Sequence, residues 1–395
     1  MTMNLSQGRP YLAIPGPSVM PDRVLAAMHR PAPDIYAGAL IDMTASLYPD
    51  LRAVARTAHH VAIYIGNGHA AWEAANTNLF SRGDRAMALV TGQFGTSWAN
   101  AVERLGVRVD RIDFGRNAPA DPARLADALR ADVRQEIKAV LLTHVDTAST
   151  VKNDVAAIRS ALDGTGHPAL LAVDCIASLG CDPFEMDLWG VDVMVGASQK
   201  GLMTPPGLGF VWFSDRAAER CRASDLRTPY WDWTPRAFAD EYWQQFCGTA
   251  PTHHLFALRE ALTMLVHEEG LEAAWARHRR LAGAVWAAVD AWGQGGDIRL
   301  NIADPAARGN SVTSVRLGGA AERLRAWCAA QAGVTLGIGL GMESAVDWLR
   351  IAHMGHVNAH MTLGALSAME AGLRALGVPR GDGALNAATE AIAGA

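Results

Sequence analysis

Lys200 closes the run Gly196-Ala197-Ser198-Gln199-Lys200, and the apolar stretch Leu170-Leu171-Ala172-Val173 ends in Asp174, 26 residues earlier. A lysine amine can bind an aldehyde as a Schiff base, and a carboxylate at the end of a buried strand can keep a pyridine nitrogen protonated. The pair therefore suits pyridoxal phosphate, with Lys200 holding the coenzyme and Asp174 making its ring an electron sink. Singly, each residue has a plainer reading. A strand-end Asp caps the next helix, and a Lys after a polar turn is a solvated charge. The choice depends on whether other parts of a coenzyme site are present.

Three strand-to-helix junctions offer such parts. Gly66-Asn67-Gly68-His69 leads straight into an amphipathic helix. Its glycines allow close backbone approach, and the helix N-terminus presents free N–H groups to a phosphate. It has neither the third glycine of a dinucleotide fingerprint nor the Lys-Ser/Thr of a Walker loop, so the remaining alternative is a plain turn. Thr91-Gly92-Gln93-Phe94-Gly95 sets Phe94 where its ring could stack on a pyridine, the alternative being a core aromatic. In Thr143-His144-Val145-Asp146-Thr147-Ala148-Ser149, Thr147 is a candidate donor to the coenzyme's phenolic oxygen, although turn-forming hydroxyls give the same pattern. His353-Met354-Gly355-His356 has H-x-x-H spacing without further ligands, and no metal site is expected. Cys328 lies in a helical pattern over residues 324–330 and reads as a buried, inert thiol.

The elements that must position these residues alternate along the chain. Apolar β-rich runs at 61–65, 85–90, 107–114, 139–143, 170–174, 191–196 and 209–213 are separated by helical patterns, among them 70–80, 96–105, 122–130 and 155–162. This is the signature of an α/β fold with a mainly parallel seven-stranded sheet, whose carboxyl edge is where ligands bind. The rhythm stops at 225–252, where Tyr230, Trp231, Trp233, Tyr242 and Trp243 cluster, and this segment is expected to be a binding loop or subunit contact, the alternative being a surface loop that buries its own rings. Long helical stretches at 255–265 and 271–292 lead to a smaller C-terminal α+β region with strands expected at 311–317 and 348–352. The resulting division is an arm at 1–20, a large coenzyme-binding unit at 21–265 and a small unit at 266–395.

Composition excludes several function classes. The 395 residues are 50% hydrophobic and 19% charged, with a formal net charge of −5, so a basic nucleic-acid footprint is absent. No run reaches the roughly 18 apolar residues of a membrane span, and no leader-like start is seen, which points to the cytoplasm. Five cysteines without paired spacing fit reduced thiols. The expected partners are small molecules and a second copy of the chain.

In this order along the chain, the motifs resemble the class V aminotransferases of fold type I, with the serine-glyoxylate and alanine-glyoxylate branch the nearest. Ile14-Pro15-Gly16-Pro17-Ser18 resembles the family's opening and Gly66 to Glu73 its phosphate turn. Val173-Asp174 resembles its pyridine partner, Gly196 to Gly201 with Pro205-Pro206-Gly207 its lysine motif, and Leu349 to Gly355 its late arginine motif. The resemblance implies that Lys200 bonds the coenzyme, Asp174 protonates the ring and Phe94 stacks on it. It also implies that Asn67, Gly68, His69 and Gln199 surround the phosphate, that Arg350 holds a substrate carboxylate, and that Thr249 reaches the phosphate of a neighbouring subunit in a homodimer with shared sites. There are departures. Pro33-Asp34-Ile35-Tyr36-Ala37-Gly38 replaces a His-Arg pair, Phe246 replaces a tyrosine, and Thr150 stands where glycine is usual.

The expected activity is transfer of an amino group from alanine, serine or aspartate to glyoxylate or pyruvate. A pyridoxamine-pyruvate type of transaminase and a lyase or desulfurase of the same class are the alternatives, and a non-catalytic scaffold is the reading from outside enzymology.

Overall fold

In the computed structural model, which describes residues 5–394, twelve strands form two sheets. They are β1 (Tyr11–Ala13), β2 (His60–Gly66), β3 (Arg85–Val90), β4 (Arg108–Asp113), β5 (Ile137–Thr143), β6 (Leu170–Asp174), β7 (Val193–Ala197), β8 (Gly207–Phe213), β9 (Arg299–Leu300), β10 (Val312–Arg316), β11 (Val334–Ile338) and β12 (Trp348–Ala352). Continuous apolar runs such as Leu170–Asp174 and Val193–Ala197 become central strands because both faces are covered by helices, and every residue in them is buried. Alternate residues feed two cores. Ile63, Leu89, Leu142 and Val173 point to one side, and Ala62, Ala88, Leu141 and Ala172 to the other.

The large sheet has the order β2-β8-β7-β6-β5-β3-β4. The β3-β4, β3-β5, β5-β6 and β6-β7 pairs are parallel, while β8 runs antiparallel to β2 and β7. Parallel alignment brings the carboxyl ends of β3, β5 and β6 to one edge, where Thr91, Thr143 and Asp174 stand. The fold is thus the expected α/β architecture with a mainly parallel seven-stranded sheet.

The second sheet has the order β1-β11-β12-β10-β9. Its edge was not expected to come from the arm, yet Tyr11 pairs with Val334 and Ala13 with Leu336, so the N-terminal segment adds a parallel strand to it. The chain then crosses to the large sheet, where the Ser18 N–H donates to the Gln199 carbonyl and the Ser18 hydroxyl to that of Lys200. Between the sheets run the helix Thr252–Leu262, a π-helical stretch Thr263–Glu269 and the helix Leu271–Gly293, broken at Gly270 with φ +83°. Among the described residues, no helix is long and apolar enough to cross a membrane.

Candidate active site

Asp174 ends β6 and is 4% exposed. One carboxylate oxygen accepts from the Ile176 N–H at 2.7 Å and the other from the Trp72 indole N–H at 3.1 Å. Burial pushes its pKa up to about 7, against the pull of these two donors. Trp72 is itself held rigid, stacked on Trp98 with ring centroids 6.0 Å apart. Lys200 follows β7, is 8% exposed, and donates to the Pro15 carbonyl of the arm. Burial and then the charge of Arg350 push its amine down to about 8, while Asp174 acts in the opposite direction. Lys200 and Asp174 are thus buried groups that feel each other's charge.

The turn after β2 opens a helix. Asn67 caps the helix Gly68–Leu79 with its side chain, accepting from the N–H groups of His69 (3.0 Å) and Ala70 (3.4 Å). At Gly68 a Cβ would fall 2.5 Å from the Ile176 Cδ1 methyl, so a larger residue there would push that side chain aside. His69 is exposed with its ring 4.6 Å from Trp72. Gln199 has a buried amide oxygen with no partner among the described residues. Phe94 begins the helix Gln93–Arg104, is half-buried, and lies 6.3 Å from Trp72.

Arg350, in the middle of β12, is 6% exposed. Its Nε donates to the Ile338 carbonyl and its Nη1 to the Thr147 carbonyl, both at 2.8 Å. Of five N–H groups, three remain without a partner among the described residues. Burial lowers its pKa to about 10. Thr147 itself is buried at 5% exposure. The site therefore joins the large sheet's carboxyl edge to the small sheet. Thr249 is not brought there. It is exposed, beside Tyr36, Trp243 and Gly248 around a cavity of about 350 Å³.

Two residues of this constellation had no expected role. Trp72 is an indole donor to Asp174, and Asp146 is a fully buried carboxylate between the junctions after β3 and β5. Both lie inside motifs quoted for other residues. Their only sequence signal is their type, an acid and an indole within otherwise apolar or hydroxyl-rich segments.

The aromatic segment is divided between core and surface. Trp233 is fully buried and stacks on Phe213 at 4.4 Å, and the Trp231 carbonyl accepts from Tyr64 and Asn78. Stacking on the chain's own sheet turns Trp233 away from the surface and Trp231 is half-buried, while Phe238, 51% exposed, Trp243, 58% exposed, and Tyr36, 87% exposed, face outward. Phe246 is likewise a core residue, packed edge-on to Tyr242. Thr150 adopts φ +66°, the left-handed conformation that explains a glycine preference at that position. The ring nitrogens of His353 face the Asn310 carbonyl and the Thr313 hydroxyl. Cys328 is buried in the helix Ala321–Ala332, and burial pushes its thiol up to about 12.

Residues 11–363 match the family described as aminotransferase class-V. The serine-glyoxylate aminotransferase of Methylorubrum extorquens is 35% identical over 373 residues, covering 93% of this chain and 91% of that protein. The L-aspartate-glyoxylate aminotransferase of Paracoccus denitrificans is 36% identical over 374 residues, with the same coverage of 93% and 91%. Among solved structures, the pyridoxamine-pyruvate aminotransferase of Mesorhizobium loti superposes with a TM-score of 0.89 at 27% identity, covering 99% of this chain and 100% of that one. The chain belongs to the class V aminotransferases. It is a pyridoxal-phosphate-dependent transaminase with the fold type I architecture.

The residues present fit that coenzyme. Asp174 is a buried acceptor at the sheet edge, Lys200 is the buried amine that feels its charge, and the Gln199 amide, whose oxygen has no partner among the described residues, has an NH₂ group to offer an anion.

Proposed function

We propose that the protein moves an amino group from a small amino acid (alanine, serine or aspartate) to a small 2-oxo acid, glyoxylate or pyruvate. The observation that supports this most directly is Arg350, buried yet with three N–H groups to spare, close enough to Lys200 for its charge to act on the amine. Relatives named for different donors, serine and aspartate, share glyoxylate as acceptor in their names, which favours glyoxylate here.

Once bound, pyridoxal phosphate supplies a carbonyl carbon for the amino group and a protonated ring that draws electrons from the reacting carbon. Lys200 Nζ would hold the coenzyme by its carbonyl carbon and, once the donor's amino group has displaced it from that carbon, would be the base that moves the proton from the donor's α-carbon. An amine pushed down to about 8 is partly neutral near physiological pH, which this proton transfer requires. Asp174 would accept from the ring nitrogen, its carboxylate being the counter-charge that a proton on that nitrogen needs. Arg350 fixes the substrate carboxylate by two parallel N–H donors and so turns the α-hydrogen toward Lys200. Phe94 would stack on the ring, and Thr147 would serve its phenolic oxygen. Asn67, Gly68, His69 and Gln199 hold the phosphate.

Thr249, exposed beside Tyr36 and Trp243, supports a homodimer with shared active sites in which Thr249 reaches the partner's phosphate. A cytoplasmic location and the division at 1–20, 21–265 and 266–395 complete the proposal. A donor and acceptor screen tests it. Turnover is expected with a small amino acid and glyoxylate or pyruvate. Turnover confined to free pyridoxamine would favour the pyridoxamine-pyruvate reading, and release of sulfide or another cleaved group would favour a lyase.

A further inference from the structure

We infer that Asp146 is the positioning residue that couples the coenzyme's stacking ring to the carboxylate clamp. The inference rests on the transaminase reading and goes beyond it by assigning a residue that touches neither coenzyme nor substrate.

Asp146 is fully buried, and both its oxygens accept two backbone N–H groups each. Oδ2 takes those of Phe94 at 2.7 Å and Gly95 at 3.1 Å; Oδ1 takes those of Ala148 at 2.9 Å and Ser149 at 3.2 Å. The first two belong to the opening turn of the helix Gln93–Arg104, whose own N-cap, Gly92, has no side chain to offer. Asp146 therefore caps that helix from 52 residues away, where the helix dipole favours a negative charge. The second pair closes a tight turn around Thr147, and the Thr147 carbonyl is the one that holds Arg350 Nη1. One carboxylate thus fixes both Phe94 and the arginine's anchor.

The local sequence accommodates this carboxylate. A Cβ at Gly92 would lie 2.4 Å from Asp146 Cγ and 2.5 Å from Oδ1. Gly92 has φ 173°, an extended conformation open to any residue, so the requirement is for space around the carboxylate. An amide at 146 cannot replace the acid. With one acceptor oxygen and an NH₂ group, it would present donors to one pair of N–H groups. Four charge-assisted contacts to a single buried group tie the two turns tightly together.

The test uses holoenzyme of wild type, Asp146→Asn, Gly92→Ala and the Asp146→Asn/Arg350→Ala double variant. Coenzyme affinity is measured by spectral titration, and affinity for propionate, a carboxylate that cannot react, from its effect on the coenzyme band. Asp146→Asn is expected to weaken both by roughly tenfold or more. Its effect on propionate should largely vanish in the Arg350→Ala background, because Asp146 acts through Arg350. Gly92→Ala, which crowds the carboxylate without removing it, should reproduce the pattern in milder form. A lower Tm with both affinities unchanged would reduce Asp146 to a structural cap and overturn the inference. Amide hydrogen exchange of wild-type holoenzyme decides the matter if the variants do not fold. Propionate should slow exchange at Phe94, Gly95, Ala148 and Ser149 together, and slowing at only one pair overturns the coupling. A wild type that binds no coenzyme would instead refute the transaminase reading itself.

Discussion

Arg350→Ala removes a guanidinium that holds two backbone carbonyls and has three further N–H groups to offer. A charge-assisted pair is worth about 1.5 to 3 kcal/mol, so the apparent affinity for a substrate carboxylate should fall roughly 10- to 150-fold. Both the amino donor and the 2-oxo acceptor should suffer, since one site serves both half-reactions. Arg350→Lys should recover only part of the loss, because one ammonium cannot satisfy Ile338, Thr147 and a two-point carboxylate together. A second effect has a definite sign. After burial, the charge of Arg350 is the next cause of the low Lys200 pKa, so Arg350→Ala should raise that pKa and shift the rising limb of the rate profile to higher pH. The assay is steady-state kinetics for both substrates across pH, with Tm measured alongside. If KM for both substrates stays within twofold of wild type while Tm falls, Arg350 is a structural tie between the sheets and the clamp is refuted.

Asp174→Asn should retain coenzyme but turn over on the order of 10²-fold more slowly, as measured by single-turnover absorbance, because a neutral amide cannot stabilise the ring proton. Near-normal turnover of the folded variant would move the ring's partner elsewhere. Asp174 is raised from an ordinary 3.8 to about 7, so the native state binds the extra proton in that window and its contribution to stability declines as pH rises through it. Lys200 is lowered from 10.5 to about 8, so its contribution increases as pH rises from 8 toward 10.5. Urea titrations of coenzyme-free protein should therefore show Asp174→Asn removing the first slope and Lys200→Met the second; unchanged slopes would contradict the assignments. Sedimentation should show a dimer, weakened by Tyr36→Glu or Trp243→Glu, whereas an active monomer would exclude shared sites.

Most of the large sheet was legible because its strands are short apolar runs bounded by turns, and Arg85–Val90 and Leu170–Asp174 coincide with the expected spans. The small sheet was less legible. Three-residue β1 and two-residue β9 carry too little pattern to register alone and exist because β11 and β10 pair with them. Lys200 and Asp174 could be picked out because their chemistry is rare in apolar surroundings, and Arg350 only because its segment resembles the family's late arginine motif. Asp146 could not, since its four donors are backbone amides, two of them in the helix Gln93–Arg104. The burial of Trp233 could not be read from the sequence for a related reason. Residue type shows that Trp233 needs burial, and only the tertiary fold shows that Phe213 supplies it.

The central claim is that Lys200 carries the coenzyme on which amino transfer takes place. Borohydride reduction of the holoenzyme followed by peptide mass mapping tests it most directly. The claim predicts one mole of phosphate-bearing pyridoxyl group per chain, on the peptide containing Ser198-Gln199-Lys200, and none when excess amino donor is added before reduction. Label on a different lysine, or label on Lys200 that an amino donor fails to displace, would contradict it.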